Sequence, residues 1–171
     1  MSRFKNLQPS QLSRDAFIAA FADIYEHSPW VAAIAYDQGQ GAGLDDVETL
    51  HGRMGDVVLG ADRARQLELI KSHPDLAGRA AVQGQLTHAS TQEQAGAGIH
   101  ECTPEEFQRF TELNNAYKAR FDFPFIMAVK GSNRHQILQA FETRIHHSPD
   151  VEFACALVEI NKIALFRLQA L

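Results

Sequence analysis

A histidine followed directly by proline is held out of a continuing helix, because the pyrrolidine ring disfavours helical geometry in the residue before it. His73-Pro74 is such a junction, so its imidazole can project from a helix end. An imidazole titrates near neutrality and suits proton exchange. Asp75 stands close enough to orient the ring or to cap the next helix. From the residues alone, Lys71 to Gly78 reads equally as a helix stop with a capped restart and as a catalytic histidine. Ser90 and Glu93 present a similar choice, since S-x-x-E is the spacing of a capping box and also offers a carboxylate to a reacting proton; spacing alone favours the cap. Arg167 interrupts the apolar run Ile163 to Leu168. There it can complement a helix C-terminus or reach water along its stem, or it can grip a carboxylate in a planar, bidentate fashion.

Eight histidines in 171 residues raise the question of a metal. No HExxH is present, His146 and His147 are adjacent and cannot share one site from a helix, and His100 has no second ligand three or four residues away. Cys102 and Cys155 form no CxxC pair and read as buried or half-buried thiols. The spacings therefore imply no metal. A metal-dependent hydrolase assembled from scattered histidines is one alternative. A non-catalytic helical interaction module, in which His73 and Glu93 only end and cap helices, is another.

The elements that must position these groups are helical. Ser13 caps a stretch in which Phe17, Ile18, Phe21, Ile24 and Tyr25 recur at helical intervals and which ends near His27-Ser28-Pro29. Trp30-Val31 starts a second short helix. Gly39, Gly41 and Gly43 then form a flexible break; without a preceding strand pattern they are a linker and not a phosphate loop. Asp45 is expected to cap a helix carrying Val47, Leu50, Met54, Val57 and Val58, and Ala61 to Ser72 places Ala64, Leu67 and Ile70 on one face. From His73 to His100 the pattern is interrupted by Pro74, Gly78, Gly84, Gly96 and Gly98, and ionisable groups gather there. Long helices return over about Pro104 to Arg120, Asn133 to His146 and Pro149 to Gln169, the first announced by Thr103, Pro104 and two acids. Phe123 to Val129 is extended in character but has no partner strand, so it is expected to be a buried connection. The fold class is all-α, a single compact multi-helix domain over residues 1–171.

An apolar fraction of 45% with 22% charged residues fits a globular chain. A net charge of −5 gives little electrostatic purchase on DNA or RNA, so no nucleic-acid partner is expected. Neither a signal-like run near the start nor a membrane span is visible, which implies a cytoplasmic protein.

Five segments then combine in order: Glu26 to Val31, Ser72 to Gly78, Ser90-x-x-Glu93-Gln94-x-Gly96, Tyr117 to Ile126, and Glu159-Ile160 through Ile163 to Arg167-Leu168. Together they resemble the 2-oxo-4-hydroxy-4-carboxy-5-ureidoimidazoline (OHCU) decarboxylase family from about Leu12 to Leu168. Asp122 departs from that pattern, standing where glycine is common, and Ala97 to Ile99 loosens the sequence after Gly96. The resemblance implies His73 and Glu93 as catalytic residues and Arg167 as the substrate-binding arginine. Pro74 and Ser90 would line the pocket, and Phe123, Phe125 and Ile126 would supply packing surface and main-chain groups to the heterocycle. It further implies a ureidoimidazoline substrate, (S)-allantoin as product, no cofactor, and a homodimer.

Overall fold

A computed structural model describes residues 2–39, 41–78 and 85–171. Met1, Gln40 and residues 79–84, including the expected interruption at Gly84, lie outside the described residues. The helices are α1 (Arg14–Phe21), α2 (Trp30–Asp37), α3 (Val47–Gly60), α4 (Arg63–Lys71), α5 (His88–Gly96), α6 (Pro104–Phe121), α7 (Arg134–Arg144) and α8 (Pro149–Gln169). Short 3-10 turns occupy Pro9–Gln11, Ala42–Asp45 and Ile99–Glu101. Extended pairing among the described residues is confined to one bridge between Arg3 and Asp46, so the chain is all-α. It gathers into two compact units, residues 1–69 with 160–171, and residues 70–159.

In the first unit, Ser13 caps α1 by accepting from the Ala16 amide at 3.3 Å. Phe17 and Phe21 are buried, and their rings lie 4.6 Å apart. The helix stops at Phe21, earlier than the apolar spacing suggests. Ile24 and Tyr25 are buried from the turns that follow, and His27 adopts a left-handed φ of 47° ahead of Pro29. Burial continued after the helical period had ended, which is why periodicity overran the boundary. Helix α1 packs on α2 and α2 on α3, around Val31, Ala35, Leu50, Met54 and Val58. The cap of α3 is Asp46, not Asp45: Asp46 accepts from the Thr49 amide at 2.9 Å. Asp45 is instead held by the amide and hydroxyl of Ser10, at 2.8 and 2.7 Å. In α4 the buried positions are Leu69 and Ile70, whereas Ala64 is exposed and Leu67 half-buried, so the expected face is displaced.

In the second unit, Thr103 and Glu106 form the reciprocal capping box that starts α6. Tyr117 lies at the centre of an aromatic core. Its ring is 4.5 Å from Phe121, 5.4 Å from Phe125 and 6.0 Å from both Phe123 and Phe141. Helix α6 ends at Asp122, whose φ of 60° is left-handed. Aspartate tolerates that conformation better than most side chains, so it can stand at a helix end where glycine is the usual choice. The segment from Phe123 to Val129 crosses the unit without strand pairing and buries Phe123, Pro124, Phe125, Ile126 and Val129, as the sequence suggested.

Beneath that segment Glu152 is fully buried. Its carboxylate accepts from Tyr117 Oη, from Arg144 Nη2 at 2.9 Å, and pairs with His147 Nδ1 at 2.9 Å. Arg144 also donates to the Ile126 carbonyl at 2.7 Å and lies over the Phe125 ring, 4.3 Å from its centroid. Burial pushes the Glu152 carboxyl up, but the hydrogen bonds and charge of Arg144, with Tyr117 and His147, outweigh this and leave it below its ordinary value of 4.5. Stability from this group is therefore complete above about pH 4.5 and is lost as pH falls through the lower folded-state value. Glu152→Ala is expected to destabilise the protein by about 3–5 kcal/mol, because it strands the Arg144 charge. Urea titration checks this, and it should also show that the variant loses less stability than the parent between pH 6 and pH 4.

Candidate active site

Helix α4 ends at Lys71, and the His73 amide bonds back to the Ile70 carbonyl at 3.2 Å, closing a last turn before Pro74. His73 is buried, 8% exposed, which the sequence alone did not disclose. Among the described residues, the Asp75 carboxylate meets Lys118 Nζ at 2.6 Å. Ala77 follows in the left-handed region at φ 53°. For an alanine that conformation costs about 1–2 kcal/mol, so the surrounding bonds must enforce it. Gly78 allows the tight turn: a Cβ there would meet the Asp75 Cβ at 2.6 Å.

Two side chains enforce the turn from neighbouring helices. Gln94, on α5, accepts from the Ala77 amide at 3.0 Å and donates to the Asp75 carbonyl at 3.3 Å. Asn114, on α6, donates to the Leu76 carbonyl at 2.9 Å. Both amide side chains are buried.

Helix α5 resolves the ambiguity at Ser90 and Glu93. Its N-cap is Thr87, whose hydroxyl accepts from the Ser90 amide at 3.3 Å. Ser90 is therefore already inside the helix, and the capping box expected from S-x-x-E does not form. Glu93 sits in the helix body, half-buried, where its carboxylate has no cap to complete. Ser90 is 4% exposed. Glu93 is the sequence neighbour of Gln94, so the bonds from Gln94 hold the helix that carries Glu93 against the segment that carries His73.

Arg167 belongs to the other unit and is 8% exposed. It stands in the last turn of its helix and does not snorkel to water: Nη1 meets Glu26 Oε2 at 2.9 Å and donates to the Asp23 carbonyl at 3.0 Å. Glu26 is 2% exposed. A buried carboxylate paired with a buried guanidinium fixes the fork in one orientation. Periodicity places Glu26 inside a helix that runs to His27, off its apolar face, and so marks it for no role; its membership of the Glu26 to Val31 segment was the available signal.

Pro74 lies beside His73 and is half-buried. The side chains of Phe123 and Phe125 are committed to the aromatic core, with Phe125 stacked on Phe141 at 3.7 Å, and the Ile126 carbonyl is taken by Arg144. From these three residues it is main-chain groups other than that carbonyl that can serve a ligand. His146 and His147 follow the end of α7, and His147 is spent on Glu152. Among the described residues, no three or more His, Cys, Asp and Glu side chains are grouped so as to hold a metal ion.

The family model for OHCU decarboxylase matches residues 10–169. The chain belongs to the OHCU decarboxylase family. A protein of Haloferax volcanii named 2-oxo-4-hydroxy-4-carboxy-5-ureidoimidazoline decarboxylase is 41% identical over 161 residues, covering 94% of this chain and 92% of that one. One of the same name from Halalkalicoccus jeotgali is 39% identical across the whole chain, over 93% of its own length. Among solved structures, an (S)-allantoin synthase superposes with a TM-score of 0.74 at 29% identity, over 95% of this chain. The chain spans 52% of that synthase. The departure from the OHCU decarboxylase pattern expected at Asp122 is conformationally mild, since Asp122 keeps a left-handed backbone that glycine also adopts.

Proposed function

We propose that this protein is a carboxy-lyase that converts OHCU to (S)-allantoin in urate breakdown, without a cofactor. The match to the two named decarboxylases along nearly their whole length carries this reading. Decarboxylation requires an acceptor for the electron pair of the breaking C–C bond, and OHCU contains one. Its carboxylated carbon bears a hydroxyl and adjoins an imine-like ring carbon. As CO2 leaves, the pair forms a C=C bond between these carbons, and the C=N π electrons pass to nitrogen, which takes up a proton. The resulting enol gives up its hydroxyl proton, and the neighbouring carbon is protonated on one face, which sets the S configuration.

Arg167 is assigned the grip on the anionic substrate, with Glu26 holding its guanidinium. His73 serves as general acid/base, with Glu93 as its partner at the hydroxyl. Pro74, Ser90 and main-chain groups of the Phe123 to Ile126 stretch line the substrate. Proton transfer to or from the substrate by such positioned side chains contributes about 10²–10⁴-fold. We further infer one functional domain over residues 1–171, a homodimer and a cytoplasmic setting, all supported by the family resemblance. No helix among the described residues is long and apolar enough to cross a membrane.

The decisive experiment supplies freshly generated OHCU and follows its loss together with optical rotation. The expected result is accelerated loss with optically active allantoin. Loss at the spontaneous rate, giving racemic product, would reject the assignment.

A further inference from the structure

Gln94 is given no role by the reaction, yet its side chain is bonded at both ends to the turn that follows His73. It is 5% exposed, and both ends of its amide are engaged: Oε1 by the Ala77 N–H and Nε2 by the Asp75 carbonyl. Those atoms lie two and four residues beyond His73, on either side of Leu76, whose own carbonyl accepts from Asn114. The turn they hold contains a left-handed alanine and a glycine with no room for a Cβ, so it is not a conformation the chain would keep unaided. An amide can perform this double task because it carries a donor and an acceptor on one rigid plane; a carboxylate offers acceptors only, and a thioether offers neither in useful strength.

We propose that Gln94 is a positioning residue for the decarboxylation, clamping the His73 to Gly78 turn onto the helix that carries Glu93 and thereby fixing the relation of imidazole to carboxylate. The inference rests on the assignment of His73 and Glu93 to proton transfer. Gln94 makes no contribution through its own chemistry. Its effect is geometric, and misplacement of a reacting group by about 1 Å can cost as much as 10²-fold in rate. The loss should fall on kcat, because Arg167 and Glu26, which are assigned the grip on the substrate, are untouched.

The test uses the full-length protein carrying Gln94→Met, close in shape but without the paired donor and acceptor, and Gln94→Glu, which can still accept from the Ala77 amide. Hydrogen exchange at the Ala77 amide is read alongside kcat and KM. In Gln94→Met, exchange at Ala77 is expected to rise about tenfold with the loss of one buried hydrogen bond. At the same time kcat should fall about 10–100-fold while KM stays within about threefold. Gln94→Glu should lie between Met and the parent in both measures, and it provides the same reading should the methionine variant fail to fold. Unchanged Ala77 exchange in a folded variant would overturn the clamp. Raised exchange with kcat within about twofold of the parent would overturn the positioning role. A His73→Ala protein as active as the parent would instead remove the assignment of His73, and the catalytic half of this inference with it, while the exchange result would still decide whether the clamp exists.

Discussion

Glu93→Gln is expected to give a folded protein with parental melting temperature and a kcat lower by about 10²–10⁴-fold. The structure sharpens this expectation in one respect. A glutamate that completes a capping box would be replaced by glutamine at small cost, because the amide oxygen still accepts from the cap amide. That route is closed, since Thr87 begins the helix and Glu93 lies within its body. What distinguishes glutamate from glutamine there is charge: only the carboxylate stabilises an imidazolium or takes up a proton. If His73 and Glu93 form one proton-handling unit, the losses in His73→Ala and Glu93→Ala should also be far from additive, the second removal costing little once the first is made. A folded, fully active Glu93→Gln enzyme would end the assignment, and parallel measurement of melting temperature and kcat gives the answer.

Arg167→Lys should be nearly as damaging, with kcat/KM lower by about 10²-fold or more while helical content by circular dichroism is unchanged. Lysine preserves the charge and can keep an ion pair with Glu26, which limits the structural penalty. It cannot preserve the planar fork. In the parent, Glu26 and the Asp23 carbonyl both engage Nη1, which locks the guanidinium plane. An ammonium on the same pair is a point charge that turns freely, so the two-point geometry a carboxylate needs is lost. Steady-state kinetics of this variant within about threefold of the parent would take Arg167 out of the substrate site.

How much of this was legible in the sequence depended on the range over which each signal acts. Thr103-Pro104-Glu105-Glu106 announced a helix start through bonds spanning three residues, and both halves of the box are present. Asp46 displaced Asp45 by a single position because a contact from Ser10, 35 residues away, took the first carboxylate, and no local pattern reports such a contact. Ser90-x-x-Glu93 misled for a related reason: two caps were available three residues apart, Thr87 and Ser90, and the helix took the earlier one. The aromatic stretch from Phe123 was recognisable as buried by composition alone. The partners that hold the candidate residues lay beyond any local reading, for within one unit Gln94 meets Ala77 across 17 residues and within the other Arg167 meets the Asp23 carbonyl across 144. Only the family resemblance reached that far, and it supplied His73, Glu93 and Arg167 while leaving Gln94 and Glu26 without a role.

The buried carboxylate of Glu152 has a consequence for how this sequence can change over time. It answers donors from Tyr117, Arg144 and His147 at once, and Arg144 in turn holds the main chain at Ile126. A well-packed apolar set of similar volume can replace such a group with little loss, but removing one member alone leaves its partners charged or unsatisfied in the interior. The cluster is thus a valley with steep single-step walls: descendants inherit the set whole, or exchange it in concert, and positions 117, 144 and 152 should vary together in any lineage that leaves it.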